Sequence, residues 1–219
     1  MRGGVQGGSY SREAMSAVRR SSRPAIMSRG KLVSVIRLVR TDLHLLDAAL
    51  VSDEALAVVL GHDVVAGWAT FTAALQTTRD AVAANTSGAP WGARFFVAGD
   101  PPELVGWGGF KGPPADGIVE LGYEIAEAWR GRGLATAATR AMLAEALADT
   151  GVRTVIAHTL AHRNASNRVL EKAGFHHDAE TVQDGEVIWR FSVARPGPPE
   201  PEPVASLSGR ERWRPRGRP

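Results

Sequence analysis

Between Ile118 and Thr136 the chain reads I-V-E-L-G-Y-E-I-A-E-A-W-R-G-R-G-L-A-T, and no other stretch narrows the possible folds so far. Val119, Leu121, Tyr123 and Ile125 alternate with Ile118, Glu120, Gly122 and Glu124, the two-residue period of a strand with one apolar face. Gly122, alone inside that strand, marks a bulge or a close approach by another backbone or a ligand. Arg130-Gly131-Arg132-Gly133 then turns the chain into Leu134-Ala135-Thr136-Ala137-Ala138, strong helix-forming sequence apart from the threonine. A strand, a glycine turn and a helix in direct succession make an anion cradle. The first N–H groups of a helix lack partners inside it, and the macrodipole adds positive charge at that end. Glycines let a phosphate reach the main chain, and Arg130 and Arg132 add charge. The turn is no P-loop, because no Gly-Lys-Ser/Thr closes it. Gly131-x-Gly133-x-x-Thr136 also lacks the third glycine of the dinucleotide fingerprint.

Composition removes several classes of function. The 219 residues suffice for one medium domain with tails. With no cysteine, the chain has no disulfide, no thiolate metal site and no cysteine nucleophile. No apolar run approaches the ~20 residues that cross a bilayer. The formal charge of +3 is unevenly spread. Residues 1–31 carry +6 and residues 195–219 carry +3, which leaves −6 on residues 32–194. The basic tails are rich in Gly, Ser, Pro and Arg and are expected to be disordered extensions around a domain at 32–194. The Arg- and Ser-rich start also fits a transit peptide, or a start codon placed too early, with Met27 the true first residue. An acidic domain argues against a nucleic-acid groove and leaves only weak attraction through the tails.

In chain order the pattern predicts a strand over Leu32–Arg40 and a helix from Leu43 to about Leu50 behind Thr41-Asp42. A second helix over Glu54–Leu60 has Asp53 as candidate cap and stops at Gly61. A third spans roughly Thr70–Ala84, and strands follow at Ala93–Ala98 and Glu103–Phe110. After the Ile118 strand come a helix over Leu134–Ala148, with Glu145 interrupting its apolar stripe, and a strand over Arg153–Leu160. A short helix over Asn164–Ala173 closes at Gly174. Two last strands, from Phe175 and from Glu186, join at Asp184-Gly185, a strong hairpin signal.

Two motifs now stand in order. Arg130, Gly133 and Ala135 form Arg-x-x-Gly-x-Ala between strand and helix, and Asn164 to Phe175 reads N-A-S-N-R-V-L-E-K-A-G-F. Together they resemble the GNAT superfamily of acetyl-CoA-dependent N-acetyltransferases, and the second run is nearest to the branch of ribosomal-protein N-terminal acetyltransferases. The resemblance covers about residues 32–194 and is firmest from Ile118 to Phe175. It implies an α/β (α+β) fold: a mixed, mostly antiparallel twisted sheet of six to seven strands. Helices would cover both faces, and a central strand pair would splay apart.

The resemblance also implies site residues. Tyr123, Glu124 and Ile125 would bond the pantetheine arm through their main chain. Arg130, Gly131, Arg132, Gly133, Leu134, Ala135 and Thr136 would form the pyrophosphate loop, and Asn164 would touch the cofactor before the short helix. Glu120 lies within one position of a strand glutamate used as base in some members, or it is a solvated carboxylate. Ser166 matches a serine proposed as general acid in the ribosomal branch, or it is an N-cap. Leu170 stands where many members place a tyrosine acid. His158 is a second candidate base, Glu180 a remote one, and Trp68, Phe71, Trp107 and Phe110 are candidate walls of an acceptor pocket. The implied activity is acetyl transfer from acetyl-CoA to a primary amine, peptide or small molecule, without a metal, by a cytoplasmic monomer or homodimer. A catalytically weak acyl-CoA-binding module with a protein or nucleic-acid partner is the alternative.

Overall fold

Short polar residues decide where the helices start. In the computed structural model, which describes residues 35–84, 90–183 and 185–196, strand β1 (Ile36–Arg40) ends just before Asp42, the cap of helix α1 (Leu43–Val51). The Asp42 carboxylate accepts from the Leu45 N–H at 2.9 Å, satisfying one orphan donor of the first turn. Ser52, not Asp53, caps α2 (Asp53–Leu60): its Oγ accepts from the Ala55 N–H, while Asp53 takes the Trp68 indole N–H at 2.9 Å. Gly61 ends α2 at φ 73°, in the left-handed region that glycine enters without a Cβ penalty. Helix α3 (Thr72–Ala83) begins two residues later than the pattern suggests, because Thr70 bonds Glu124 instead of starting a turn.

The sheet contains β2 (Asp63–Val64), β3 (Ala93–Ala98), β4 (Glu103–Phe110), β5 (Ile118–Ile125), β6 (Thr154–Leu160), β7 (His176–Gln183) and β8 (Glu186–Ala194). Helix α4 (Leu134–Ala148) follows β5, and α5 (Ala165–Ala173) follows β6. The strand order is β1-β3-β4-β5-β6-β8-β7, with β2 beside β4. That makes eight strands where the resemblance implies six to seven; the extra one, β2, is two residues long. All pairs are antiparallel except β2–β4 and β5–β6. The expected residues 32–34 of the first strand, Asp184 of the hairpin, and the tails apart from Arg195 and Pro196 lie outside the described residues.

Alternation puts a core on each side. Phe96, Val119, Leu121 and Ile125 pack with Leu134, Ala138, Met142 and Leu170 beneath α4 and α5. Phe95, Leu104 and Trp107 pack with Leu46, Leu56, Trp68 and Leu75 of α1–α3 on the other side. The neighbours Phe95 and Phe96 thus belong to opposite cores, the period-2 signature of a strand buried on both faces. Each such side chain contributes about 1.5–3 kcal/mol of burial. Among the described residues no helix is long and apolar enough to cross a membrane.

Candidate active site

Strands β5 and β6 pair in parallel over only three rungs, from Ile118↔Thr154 to Glu120↔Ile156. Beyond that point β4 still holds β5 as far as Ile125, and β8 holds β6 as far as Leu160. The two middle strands therefore fork, each still paired on its outer side.

The fork exposes main-chain groups selectively. Within a strand the N–H and C=O of one residue point the same way and the next residue's point oppositely. The Lys111 N–H donates to Glu120 O at 2.9 Å, and the Ala126 N–H donates to Val105 O at 2.8 Å. Even-numbered residues of β5 thus bond to β4, and Tyr123 and Ile125 turn their N–H and C=O toward the gap. Glu124, grouped with them by resemblance, lines the cavity, but its main chain faces β4: a Cβ on Gly106 would lie 2.3 Å from Glu124 O.

The gap opens into a cavity of about 410 Å³, lined by Tyr123, Ile125, Gly133, Ser166, Arg168 and Lys172 among others. At one end lies the glycine turn. Gly131 and Gly133 have φ of 76° and 81°, and a Cβ at either position would meet nothing within 4 Å. Gly133 is the N-cap of α4 and offers no side-chain cap. The Ala137 N–H bonds Gly133 O at 3.0 Å, so the N–H groups of Gly133, Leu134, Ala135 and Thr136 precede the first intrahelical bond. Four donors and the positive end of a 15-residue helix converge on open space.

The two arginines brace this turn. Arg130 Nε donates to Ile125 O at 3.1 Å. Arg132 donates to Ala128 O at 3.0 Å, with its guanidinium 4.3 Å above the Trp129 ring. Positive charge at the cavity wall also comes from Arg168 and Lys172 of α5, which motif reasoning missed. Their i, i+4 spacing on a helix whose other side is apolar was the available signal.

Asn164 is not a lining residue of the cavity; its side chain is engaged in the chain itself. Its Oδ1 accepts from the Asn167 N–H, Asn167 returns a bond to the Asn164 N–H, and its Nδ2 donates to Thr159 Oγ1 and His162 O. Because Asn164 caps α5, Ser166 is free of that duty. Ser166 Oγ lies 3.0 Å from the Tyr123 hydroxyl, inside the cavity. Burial pushes the Tyr123 phenol up, against smaller downward effects of hydrogen bonds to Ser166 and Thr139, so the group keeps its proton. Leu170 is fully buried in the core.

On the other face of the sheet, Glu120 accepts from His158 Nδ1 at 2.9 Å and pairs with Lys111 Nζ at 2.5 Å. Glu124 accepts from the Thr70 N–H at 3.0 Å, and also from the Thr70 hydroxyl and the Trp107 indole. Between these carboxylates a Cβ on Gly122 would meet nothing within 4 Å, and the β4–β5 register runs without a shift there. So Gly122 marks no bulge, and no other backbone crowds its Cβ position; it leaves an open floor. Glu180 accepts from the Trp189 indole at 2.9 Å. Trp189 packs against the α4–α5 core, so Glu180 sits on the face opposite Glu120. Trp68, Trp107 and Phe110 are buried core, and only Phe71 is exposed, at 69 %.

Residues 35–176 match the family model described as an acetyltransferase (GNAT) domain. The chain is 29% identical over 143 residues to the Uncharacterized N-acetyltransferase YjdG of Bacillus subtilis (strain 168), spanning 64% of this chain and 85% of that one. Among solved structures, a putative GnaT-family acetyltransferase from Bordetella pertussis superposes with a TM-score of 0.53 at 21% identity, over 72% of this chain and 94% of that chain. The microcin C7 self-immunity acetyltransferase MccE, in complex with acetyl-CoA and AMP, gives a TM-score of 0.52 at 13% identity, over 73% and 92%. The aminoglycoside acetyltransferase AAC(6')-Ib, in complex with coenzyme A and kanamycin, gives 0.50 at 18% identity, over 74% and 95%.

Proposed function

The chain belongs to the GNAT acetyltransferase family, and from that premise we propose that it moves an acetyl group from acetyl-CoA to a primary amine by direct attack in a ternary complex. One observation carries the reading. The four residues whose N–H groups precede the first intrahelical bond of α4, Gly133 to Thr136, line the cavity at the β5–β6 fork. A diphosphate fits that donor set, since it takes several N–H bonds at once and gains from the helix dipole. Arg168 and Lys172 would neutralise further phosphate charge, and the main chain of Tyr123 and Ile125 would bond the amides of a pantetheine arm. Solved relatives of the same fold that hold acetyl-CoA or coenzyme A support this choice of ligand.

When bound, acetyl-CoA supplies an activated thioester carbonyl, and the protein must deprotonate the amine and protonate the departing sulfur. Ser166 and the protonated Tyr123 hydroxyl, joined at 3.0 Å within the cavity, are the donors we assign to the sulfur. They stand in for the tyrosine that Leu170 replaces. The base lies on the other side of the fork, among the groups around Glu120. The open floor at Gly122, between Glu120 and Glu124, is where we place the acceptor. Relatives of the fold hold kanamycin or AMP, while the N-A-S-N-R-V-L-E-K-A-G-F run favours a peptide N-terminus; all three chemistries belong in an acceptor panel.

The test is thiol release from acetyl-CoA across peptides, aminoglycosides and amines joined to adenosine monophosphate, beside direct binding of acetyl-CoA. Amine-dependent thiol release is the expected result, and Ser166→Ala should lower kcat about 10-fold to 100-fold without weakening acetyl-CoA binding. Binding without release over the whole panel would favour the catalytically weak acyl-CoA-binding module. Absence of binding would end both readings. Gly122→Val is expected to raise the amine KM roughly tenfold or more and to leave acetyl-CoA affinity within about twofold. An unchanged KM would move the acceptor off that floor.

A further inference from the structure

The open face of the sheet holds a cluster of charged and titratable groups at the fork that the anion cradle does not use. Glu120 occupies the last paired rung with Ile156, and His158 lies two residues further along β6, on the first stretch with no β5 partner. The alternate β6 residues Val155 and Ala157 are buried beneath α4 and α5, so His158 projects to the opposite face, the side left for an acceptor. We propose that His158, oriented by Glu120, is the general base that takes the acceptor's proton, with Glu120 a positioning residue. The proposal rests on the acetyl-transfer reading and names the base for it.

Hydrogen-bond logic sets the tautomer. An ionised carboxylate only accepts, so the 2.9 Å contact with Glu120 Oε1 requires His158 Nδ1 to donate. The lone pair of the neutral ring then sits on Nε2. Among the described residues Nε2 has no hydrogen-bond partner. With its side chain 19% exposed, the ring is sheltered yet reachable.

Glu120 is already engaged on both sides. The same Oε1 takes the His158 ring N–H and the Lys111 ammonium at 2.5 Å, whereas the ring's Nε2 is left for a substrate proton. An imidazole is matched to proton transfer near neutrality, where a general base works best. The other charged groups facing this ring are few. Arg190 stands opposite His158 on β8, and Asp178 of β7 pairs with it at 3.0 and 3.2 Å. That pairing leaves Lys111 with Glu120, and Arg190 with Asp178, as balanced pairs around the His158 ring. His176 of β7 lies further along the same face, near Ser192.

His158 Nε2 takes one proton from the acceptor ammonium and passes it to solvent after the cycle. The freed amine lone pair forms the N–C bond, the C–S bond breaks, and the sulfur leaves as a thiol with a proton from the Tyr123–Ser166 hydroxyl pair. The second nitrogen proton replaces that one in the chain.

The full-length chain carrying His158→Ala, His158→Gln or Glu120→Gln tests this, with the best amine of the panel and with n-butylamine driven to high concentration as a generic acceptor. Acetyl-CoA affinity, measured directly, should stay within about twofold in every variant. Loss of binding in the parent would end the acetyl-transfer reading rather than the base assignment. His158→Ala should lower kcat about 100-fold. Added imidazole should restore part of it, and His158→Gln should abolish the acid limb of the kcat/KM profile. Glu120→Gln should lose less, keep an acid limb and show no rescue by imidazole. Nitrogen-15 spectra of the histidines should show His158 as the Nδ1–H tautomer in the parent and a mixture in Glu120→Gln. The assignment is overturned if His158→Ala stays within about threefold of the parent while Glu120→Gln is inactive. An inactive His158→Ala without imidazole rescue, together with an acid limb that survives in His158→Gln, or an Nε2–H tautomer in the parent, overturns it equally.

Discussion

Gly133→Glu is expected to weaken acetyl-CoA binding about a thousandfold while leaving the circular dichroism spectrum of the parent intact. The position makes the two effects separable. Gly133 has φ 81°, so any L side chain there costs about 1–2 kcal/mol of left-handed strain. That loss lowers the unfolding midpoint but leaves most of the stability of a domain this size. No protein atom lies within 4 Å of the added Cβ, so the new side chain displaces nothing in the fold and points into the space we assign to the diphosphate. A carboxylate about 4 Å from a phosphate charge costs on the order of 4 kcal/mol at an effective dielectric constant near 20, which is roughly three decades of affinity. Gly133→Asn supplies the control, because asparagine tolerates the left-handed region and brings no charge. It should bind more weakly than the parent, through bulk alone, and far better than the glutamate variant. Parent-like binding by Gly133→Glu would show that the donors at the start of α4 hold no phosphate.

The parts of this site that neighbouring residues determine were legible, and the parts made by distant residues were not. Alternation from Val119 to Ile125 located β5, Gly61 and Gly174 stood where left-handed caps are needed, and Asp42 capped α1 as its type and position require. Adjacent residues of equal propensity were ambiguous. Ser52 and Asp53 are both good caps, as are Asn164 and Ser166, and only the path of the chain assigns the role. Strand β2 has two residues, too few for any period to register. The Glu120–His158 contact spans 38 residues and exists because β5 and β6 pair in parallel at that rung, so each residue alone read only as a possible base. Glu145 is the clearest case. Read along α4 it breaks an apolar stripe, whereas in the fold it is the acceptor for two arginines from separate strands.

Those partners underlie the largest expected effect on stability. Arg94 is 2% exposed and donates to Glu145 through Nε at 3.3 Å and Nη2 at 3.0 Å. It also donates to Gly92 O at 2.6 Å and Pro90 O at 2.5 Å, and lies 5.5 Å from the centre of the Phe110 ring. Arg40 of β1 completes the group at Glu145. The cluster clamps α4, the helix whose first turn is the anion cradle, to the edge of the sheet. Arg94→Met keeps the aliphatic stem but strands a part-buried carboxylate and several carbonyls, and should cost about 3–5 kcal/mol in urea unfolding. Arg94→Met combined with Glu145→Met should regain much of that loss, since an apolar pair of similar volume often replaces a buried ion pair at little cost. Acid gives an independent reading. Burial alone would raise the Glu145 carboxyl; the Arg94 and Arg40 guanidiniums outweigh it and hold the group below its ordinary value of 4.5. The unfolded chain therefore binds this proton more readily. Stability from the group is full above the unfolded value and is lost as pH falls through the lower, folded one. Glu145→Gln should accordingly lose less stability than the parent between about pH 6 and pH 3. If Arg94→Met unfolds within about 1 kcal/mol of the parent, or Glu145→Gln follows the parent's acid profile, α4 is held by its apolar stripe alone and the two arginines contribute no measurable part of the clamp.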